Sequence, residues 1–396
     1  MRGVGLVTLV LAVSVALATA SPNAQYVEQL KESFGGRFSD NIYEDARLDV
    51  PELVRKYGYP LEEHSVTTED GYILTMHRIP HGRDANNVPD VNKPVVFVMH
   101  GLLGSSADFV LMGPGNGLGY ILAEEGFDVW LGNARGSFYS RKHVRLNPDS
   151  IINTSFWSFS WDEIGNFDLP AMIDYALHYT NKERLHYIGY SQGTTSFFVM
   201  GSLRPDYNKK IISMHAMAPV AYMAHNRSLL FNLLAPHSKE LSVIIYIFIY
   251  YNYIQCAQKY LMKSIFITMI PVKLGHTPAG ASILQIIHYA QGIVDKEFRR
   301  FDHGTLRNLR LYGRINPPRY DLSKVVAPVF LHYSDNDNLA EVPDVMRLFK
   351  ELGAPIGKFR VPLASFNHLD FLWAIDARSL LYNRMINLIR AMDNLG

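Results

Sequence analysis

Leu185-His-Tyr-Ile-Gly189-Tyr190-Ser191-Gln192-Gly193-Thr194 places a serine midway between two glycines. The apolar run that ends at Ile188 predicts a buried strand, and residues 194–203 predict a helix. A serine on so sharp a strand-to-helix turn needs glycines two residues before and after it, because side chains there would collide with neighbouring backbone. The pattern occurs often by chance, but between a strand and a helix it predicts that Ser191 is a nucleophile held above a sheet.

Short β-rich runs alternate with helical stretches on both sides of this turn, which predicts a largely parallel sheet covered on both faces by helices. The predicted strands are residues 94–99, 127–131, 185–189, 211–217, 328–332 and 358–361. Residues 221–313 lack this strand rhythm and predict a largely helical cap or lid. We therefore predict an α/β class protein of the α/β-hydrolase fold, with a core formed by residues 21–220 and 314–396.

A serine hydroxyl becomes a good nucleophile when a histidine oriented by a carboxylate removes its proton. In this fold the chain order is serine, acid, histidine. Asp337 follows the predicted strand 328–332 and is preferred to its neighbour Asp335, while His368 follows the predicted last strand. We interpret the later residues Asp370 and Asp376 as helix-start charge and surface polarity. Three other histidines are expected to pack or to form hydrogen bonds, namely His276, His288 and His332.

The oxyanion formed during acyl transfer needs two backbone N–H donors. The amide of Gln192 follows the nucleophile, and the second donor is expected from Leu102 in the loop His100-Gly-Leu-Leu-Gly104. His100 lacks neighbours at metal-ligand spacing. The sequence therefore predicts catalytic residues Ser191, Asp337 and His368 with no cofactor and no metal.

The N-terminus resembles a secretory signal peptide. Arg2 precedes an apolar stretch, and Ala18-Thr-Ala20 fits the cleavage pattern, so residues 1–20 are predicted to be removed. The apolar stretch is short for the alternative, a membrane anchor. Asn153 and Asn226 begin sequons, which makes them glycosylation candidates. Cys256 is the sole cysteine, so an intramolecular disulfide is excluded.

Composition narrows the function further. With 48% hydrophobic residues the chain can bury a large core, and 38 basic residues balance 37 acidic ones. This balance provides no basic surface for a phosphate backbone, so nucleic acid is not an expected partner. Oligomeric state is not indicated.

Several segments together make the chain resemble the acid lipase family, which includes the gastric and lysosomal acid lipases. Those segments are residues 69–79, the loop 100–103, Asn133-Ala-Arg-Gly136 with residues 139–143, residues 159–165 with 168–170, and residues 366–373. The resemblance implies hydrolysis of triacylglycerols, with sterol esters as a second substrate class, at an oil-water interface, a tendency to work in acid, and a secreted or lysosomal location. It assigns the triad and the oxyanion donors to the same five residues.

The chain also departs from the family. Relatives often carry a cap disulfide, which Cys256 alone cannot form, and Asp335 stands where relatives tend to have glycine. Two other functions remain open: a non-catalytic lipid carrier or storage protein on a hydrolase scaffold, and another hydrolase of this fold, such as a carboxylesterase, peptidase or thioesterase.

Residues 241–252 are apolar on every side of a helix. Polar residues follow soon after this segment, so the apolar run is too short to favour a membrane span. A buried core segment is one alternative. The preferred hypothesis is that this segment lines an acyl pocket in the cap and meets lipid.

Overall fold

The computed structural model describes residues 31, 39–228, 231–232 and 269–395 of the 396-residue chain. The predicted signal peptide, the apolar segment 241–252 and Cys256 lie outside the described residues. So does much of the predicted cap, residues 233–268.

Nine strands of the described residues form one sheet. They are β1 (Glu62–Thr67), β2 (Tyr72–Ile79), β3 (Val95–Met99), β4 (Asp128–Gly132), β5 (Lys142–His143), β6 (Leu185–Tyr190), β7 (Ile211–Met217), β8 (Val329–Tyr333) and β9 (Pro355–Arg360). The strand order is β1-β2-β4-β3-β6-β7-β8-β9, with β5 paired to β2. In this spatial order, each neighbouring pair from β4 to β9 is parallel. Strand β2 pairs with β1, β4 and β5 in antiparallel register.

The predicted α/β class and largely parallel sheet are confirmed. β3, β4 and β6 are buried along their whole length, as strands covered on both faces should be, and this is why they are largely apolar, with Asp128 and His186 as the polar exceptions. Predicted strand bounds agree within one residue, except that β9 begins three residues before the predicted 358. β1, β2 and β5 were not predicted. β1 alternates exposed and buried positions with polar residues at the sheet edge, so its apolar content is low.

Helices lie before, between and after the strands. They are α1 (Asp40–Arg47), α2 (Val50–Lys56), α3 (Leu118–Glu124), α4 (Trp161–Glu163), α5 (Leu169–Thr180), α6 (Gln192–Leu203), α7 (Ile270–His276), α8 (Ile283–Asp295), α9 (Thr305–Tyr312), α10 (Val342–Glu351), α11 (Asp370–Trp373) and α12 (Asn383–Asp393). In the described part of the predicted cap, helices α7, α8 and α9 lie between β7 and β8. Within the ranges that the structure describes, every helix is too short or too polar to cross a bilayer.

The strand order reverses at β3, whose parallel neighbours are β4 on one side and β6 on the other. In open α/β sheets, the crevice beyond the carboxyl ends of strands at such a reversal is the usual ligand site. Met99 at the end of β3 pairs with Gly189 near the end of β6. The loops that follow these two strands therefore start side by side.

Candidate active site

Ser191 occupies the turn between β6 and α6. Its backbone has φ 50° and ψ −115°, a conformation that costs energy for any residue with a side chain. Its N–H donates to the carbonyl of Met217, 3.0 Å away at the end of β7. The sheet thus fixes the strained turn from the side, so the hydroxyl is held at the carboxyl edge of the sheet.

The two glycines of the motif are required by close backbone packing. A Cβ at Gly193 would lie 2.3 Å from the carbonyl oxygen of Met99, and one at Gly189 would lie 2.8 Å from the carbonyl carbon of Gly193. Real Cβ atoms do not approach backbone so closely. The elbow is therefore pressed directly against the end of β3.

The structure brings Ser191, His368 and Asp337 together in a hydrogen-bonded row. His368 Nε2 lies 2.8 Å from Ser191 Oγ, and His368 Nδ1 lies 2.9 and 2.8 Å from the two carboxylate oxygens of Asp337. The three residues follow β6, β9 and β8 respectively. Asp337 accepts a hydrogen bond from Nδ1–H, so the unprotonated Nε2 is left to accept the serine proton. This is the arrangement that nucleophilic catalysis by serine requires.

Asp337 is held as a carboxylate in an almost fully buried position. Its Oδ1 also accepts hydrogen bonds from the amides of Leu339 and Ala340, both at 2.9 Å. Burial by itself would raise the pKa of Asp337, but the nearby His368 and these N–H donors together bring that pKa below its ordinary value. The negative charge that orients His368 therefore persists in acid.

The competing carboxylate, Asp335, lies elsewhere. It forms an ion pair with Arg360 at the end of β9, and both side chains are partly exposed. Asn336, between the two aspartates, donates to the carbonyl of Ser365 at 2.9 Å. The first contact joins the acid loop to the end of β9, and the second joins it to the loop that carries His368.

The loop after β3 lies against Ser191. A Cβ on Gly101 would be 3.2 Å from Ser191 Cβ, and the next turn has Leu103 at φ 62°. His100 Nε2 accepts the Ala134 amide at 3.0 Å, so its Nδ1–H donates to the carbonyl of Gly101 at 2.7 Å. Burial lowers the pKa of His100 to about 4, which keeps the ring neutral for both bonds.

The two predicted oxyanion donors have the property that such donors need. Within the described residues, the amides of Leu102 and Gln192 donate to no protein acceptor. The Gln192 amide opens helix α6, where the helix dipole also favours negative charge. Both amides remain available to a ligand.

The remaining predicted residues lie where the sequence suggested. His276 bonds the carbonyl of Asp45, His288 bonds Ser160 and the carbonyl of Arg299, and His332 bonds His215, so all three are structural. Asp370 opens α11 and accepts the Asn367 amide at 2.7 Å, and Asp376 is exposed. Of the two sequon asparagines, Asn153 is exposed. Asn226 is buried, and its side-chain nitrogen donates to the Met223 carbonyl and to Asn232.

Sequence reasoning missed three residues that support the site. Tyr190 donates to the carbonyl of His368 at 2.9 Å, and Asn336 joins the two loops as described above. Gln285 of α8 accepts from the side chain of Gln192 at 2.5 Å, which links the predicted cap to the elbow. Tyr190 lies inside the motif and could have been found there; Gln285 has no local signal, because its partner is distant in sequence.

Comparison with known proteins agrees with this geometry. A family model for a partial alpha/beta-hydrolase lipase region matches residues 50–113, and a model for the alpha/beta hydrolase fold matches residues 94–236. Lipase 1 of Drosophila melanogaster is 44% identical over 88% of this chain and 81% of its own length. The gastric triacylglycerol lipase of Rattus norvegicus is 36% identical over 87% of this chain and 92% of its own length. The human lysosomal acid lipase/cholesteryl ester hydrolase is 35% identical, covering 91% and 94%.

The chain belongs to the acid lipase family. Solved structures support the fold of this acid lipase at much lower identity. A putative aryl esterase from Burkholderia cenocepacia has a TM-score of 0.53 at 14% identity and covers 84% of this chain and 100% of its own. An esterase from a Rhodococcus species has a TM-score of 0.51 at 12% identity, covering 84% and 99%. These structures establish the α/β-hydrolase fold.

Three segments of the acid lipase resemblance, residues 69–79, 133–136 and 168–170, meet at Arg135. Asn133 accepts the amide of Ser106, just beyond the Leu102 loop, at 2.8 Å. Arg135 is buried and binds Asp70 through two nitrogens, at 2.6 and 2.9 Å, and Asp168 at 2.7 Å. Such a buried charge is tolerated because every partner is charged and hydrogen-bonded. These bonds fix the loop after β4, whose Ala134 amide donates to His100.

Proposed function

We propose that this chain is a lipase that hydrolyses the carboxylic ester bonds of neutral lipids through an acyl-enzyme on Ser191. The observation that carries the proposal is the hydrogen-bonded row from Ser191 through His368 to Asp337 on a strained turn. Within the part of the chain that the structure describes, the two amides expected to bind the oxyanion, those of Leu102 and Gln192, donate to no protein acceptor.

In the proposed mechanism, Ser191 Oγ attacks the ester carbonyl carbon while His368 Nε2 takes the hydroxyl proton. The amides of Leu102 and Gln192 bind the oxyanion of the tetrahedral intermediate. His368 then gives its proton to the leaving alcohol, and the acyl group stays on Ser191. Water attacks this acyl-enzyme with His368 again as base, which releases the fatty acid and restores the serine. Asp337 stabilises the protonated imidazole in both halves.

The relatives suggest the substrate class. Their names describe triacylglycerol lipases and a cholesteryl ester hydrolase, and they align over nearly all of this chain. We infer that triacylglycerols are the main substrates and that sterol esters are a second class. The intact row of Ser191, His368 and Asp337 favours this function over a non-catalytic lipid carrier.

Emulsified triolein, a sterol ester, a soluble short-chain ester and a peptide, assayed in parallel, test the proposal. We expect hydrolysis of triolein and of the short-chain ester, and a loss of roughly five orders of magnitude in both for Ser191→Ala. The variant should keep the thermal midpoint of the parent. Turnover of peptide alone, or an unchanged rate in the folded variant, would reject the lipase proposal.

We also propose that the protein is exported, as a secreted or lysosomal glycoprotein, with residues 1–20 as its signal peptide. The relatives named for gastric and lysosomal locations support this. Oligosaccharyl transfer needs an accessible side-chain nitrogen, so Asn153 is a better acceptor than the buried Asn226. Glycosidase treatment should shift the mass of the protein from insect or mammalian cells. Asn153→Gln should remove that shift, and a shift removed only by Asn226→Gln would reverse the assignment.

A further inference from the structure

Helix α9 has its apolar side chains outside and its polar side chain inside. Leu306 is 85% exposed, Leu309 46%, and Leu311 51%, and Ile315 just beyond the helix is 57% exposed. The one fully buried residue of the helix is Asn308. A surface helix of a globular domain normally buries its apolar stripe, so this helix presents the opposite arrangement.

Asn308 and Tyr312 hold the helix in place. The Tyr312 hydroxyl donates to the carbonyl of Phe301 at 3.0 Å, and its ring contacts His303. The Asn308 side-chain nitrogen donates to the carboxylate of Asp302 and to the carbonyl of Ile315, both at 2.7 Å. Its side-chain oxygen accepts the amide of His303 at 3.0 Å. These bonds join the segments before and after the helix to its buried side, while the leucines lie on its exposed side.

Arginines alternate with these apolar residues. Arg307, Arg310 and Arg314 are exposed, and none forms an ion pair with the part of the chain that the structure describes. The nearest acidic residue in sequence, Asp302, is committed to Gly304 and Asn308. Leu306, Leu309, Leu311 and Ile315 with these three arginines are called here the arginine-leucine face.

The face is connected to the candidate active site by hydrogen bonds. Gln291 of α8 holds the backbone of Asp302 through two bonds of 2.9 Å, one donated and one accepted. On the same helix, Gln285 bonds Gln192 next to Ser191. Whatever binds the face is therefore held at a fixed position relative to Ser191.

We propose that the arginine-leucine face docks on a lipid-water interface that carries anionic headgroups. Transfer of the exposed leucines from water into the acyl region lowers the free energy. The arginine stems lie along the apolar surface and keep their guanidinium groups at headgroup level. Guanidinium binds phosphate and carboxylate oxygens through paired hydrogen bonds, so the charge of the face complements such a surface. The inference extends the proposed lipase function, because the fatty acids it releases would add anionic carboxylates to the interface.

Co-sedimentation with vesicles tests the face directly. The full chain carrying Ser191→Ala is mixed with vesicles of phosphatidylcholine, with or without phosphatidylglycerol. We expect tighter binding with phosphatidylglycerol. Replacing Arg307, Arg310 and Arg314 with Gln should weaken that binding by about 100-fold, since each of the three cations near an anionic surface contributes about five-fold. Replacing Leu306, Leu309 and Ile315 with Ser should weaken binding to both vesicles.

Matched controls come from exposed residues elsewhere on the chain. Val91, Val326 and Ile356 changed to Ser, and Lys142, Arg145 and Lys350 changed to Gln, alter exposed apolar or basic residues outside the face. These variants should bind as the parent does. When the same face substitutions are made in the active enzyme, which retains Ser191, the variants should keep the thermal midpoint of the parent and its activity on a soluble short-chain ester. An enzyme inactive on every ester would reject the lipase function while leaving the vesicle result to decide the face.

Vesicle binding by both face variants equal to that of the parent would overturn the inference. So would equal losses in the control variants. The face variants could instead bind vesicles as the parent does and sediment as monomers where the parent sediments as a dimer. The face would then be an interface between copies of this chain, and the lipid proposal would be wrong.

Discussion

Asp337 and Asp335 have different roles because their side chains contact different partners. Asp337 is buried and contacts His368, whereas Asp335 pairs with Arg360 at the surface. Burial opposes ionisation of Asp337, but the histidine and two backbone amides outweigh it and keep its pKa low. A carboxylate in this position favours the His368 tautomer with hydrogen on Nδ1, which leaves Nε2 to accept from serine.

Asp337→Asn is expected to lower kcat by roughly four orders of magnitude, because the amide can donate to Nδ1 and thereby favour the wrong tautomer. Asp335→Asn should change kcat less than about five-fold, since a partly exposed ion pair contributes about 1 kcal/mol or less. Steady-state rates on a soluble ester compare the two variants. The opposite ranking would assign the acid to Asp335.

At the scale of elements, the sequence predicted the central strands and the elbow well because their signals are local. β3, β4 and β6 are buried on both faces, so each is largely apolar. β1 and β2 were not predicted, because β1 has few apolar residues and the antiparallel pairing of the two strands is not displayed by the sequence. The contact between Gln192 and Gln285 was missed for the same reason: it joins elements far apart in the chain.

Gly193→Ala tests the packing of α6 against β3. The added Cβ would lie 2.3 Å from the Met99 carbonyl oxygen, so β3 or the elbow must shift. We expect a loss of about 1–3 kcal/mol in the free energy of unfolding and about 100-fold or more in kcat, because small displacements at a reacting centre are costly. Urea unfolding and ester hydrolysis measure the two effects.

Gly292→Ala is the control, since its Cβ would meet only the Glu297 carbonyl oxygen, at 3.5 Å, within helix α8. It should leave activity unchanged and stabilise the helix slightly. A Gly193→Ala enzyme as stable and active as the parent would show that the elbow is not pressed against β3.

The whole molecule carries several histidines that are neutral because they are buried. Burial, with a smaller contribution from Arg384, lowers the pKa of His332 to about 3, and burial likewise lowers that of His288 to about 3. In the unfolded chain, histidine has a pKa near 6.5. Below that pH the unfolded state takes up a proton that the folded state refuses, so each such histidine makes the fold less stable as pH falls from about 6.5 towards 3.

For His332 alone, this linkage predicts a loss of about 2 kcal/mol in unfolding free energy between pH 7 and pH 5. His332→Phe should lower stability at neutral pH, because His215 loses its partner. It should also flatten the dependence on pH by close to one proton at pH 5. Urea titrations at several pH values give the slopes, and identical slopes for parent and His332→Phe would mean that His332 is protonated when folded.

The central claim is that Ser191 is the nucleophile, and covalent labelling tests it most directly. The intact protein is treated with a serine-directed alkyl phosphonate, digested, and analysed by mass spectrometry. We predict one phosphonate on the peptide that contains Ser191, none in Ser191→Ala, and much slower labelling in His368→Ala, while His276→Ala labels at the parent rate. Absence of label on Ser191 in the folded protein, or label on another serine that persists in Ser191→Ala, would contradict the account.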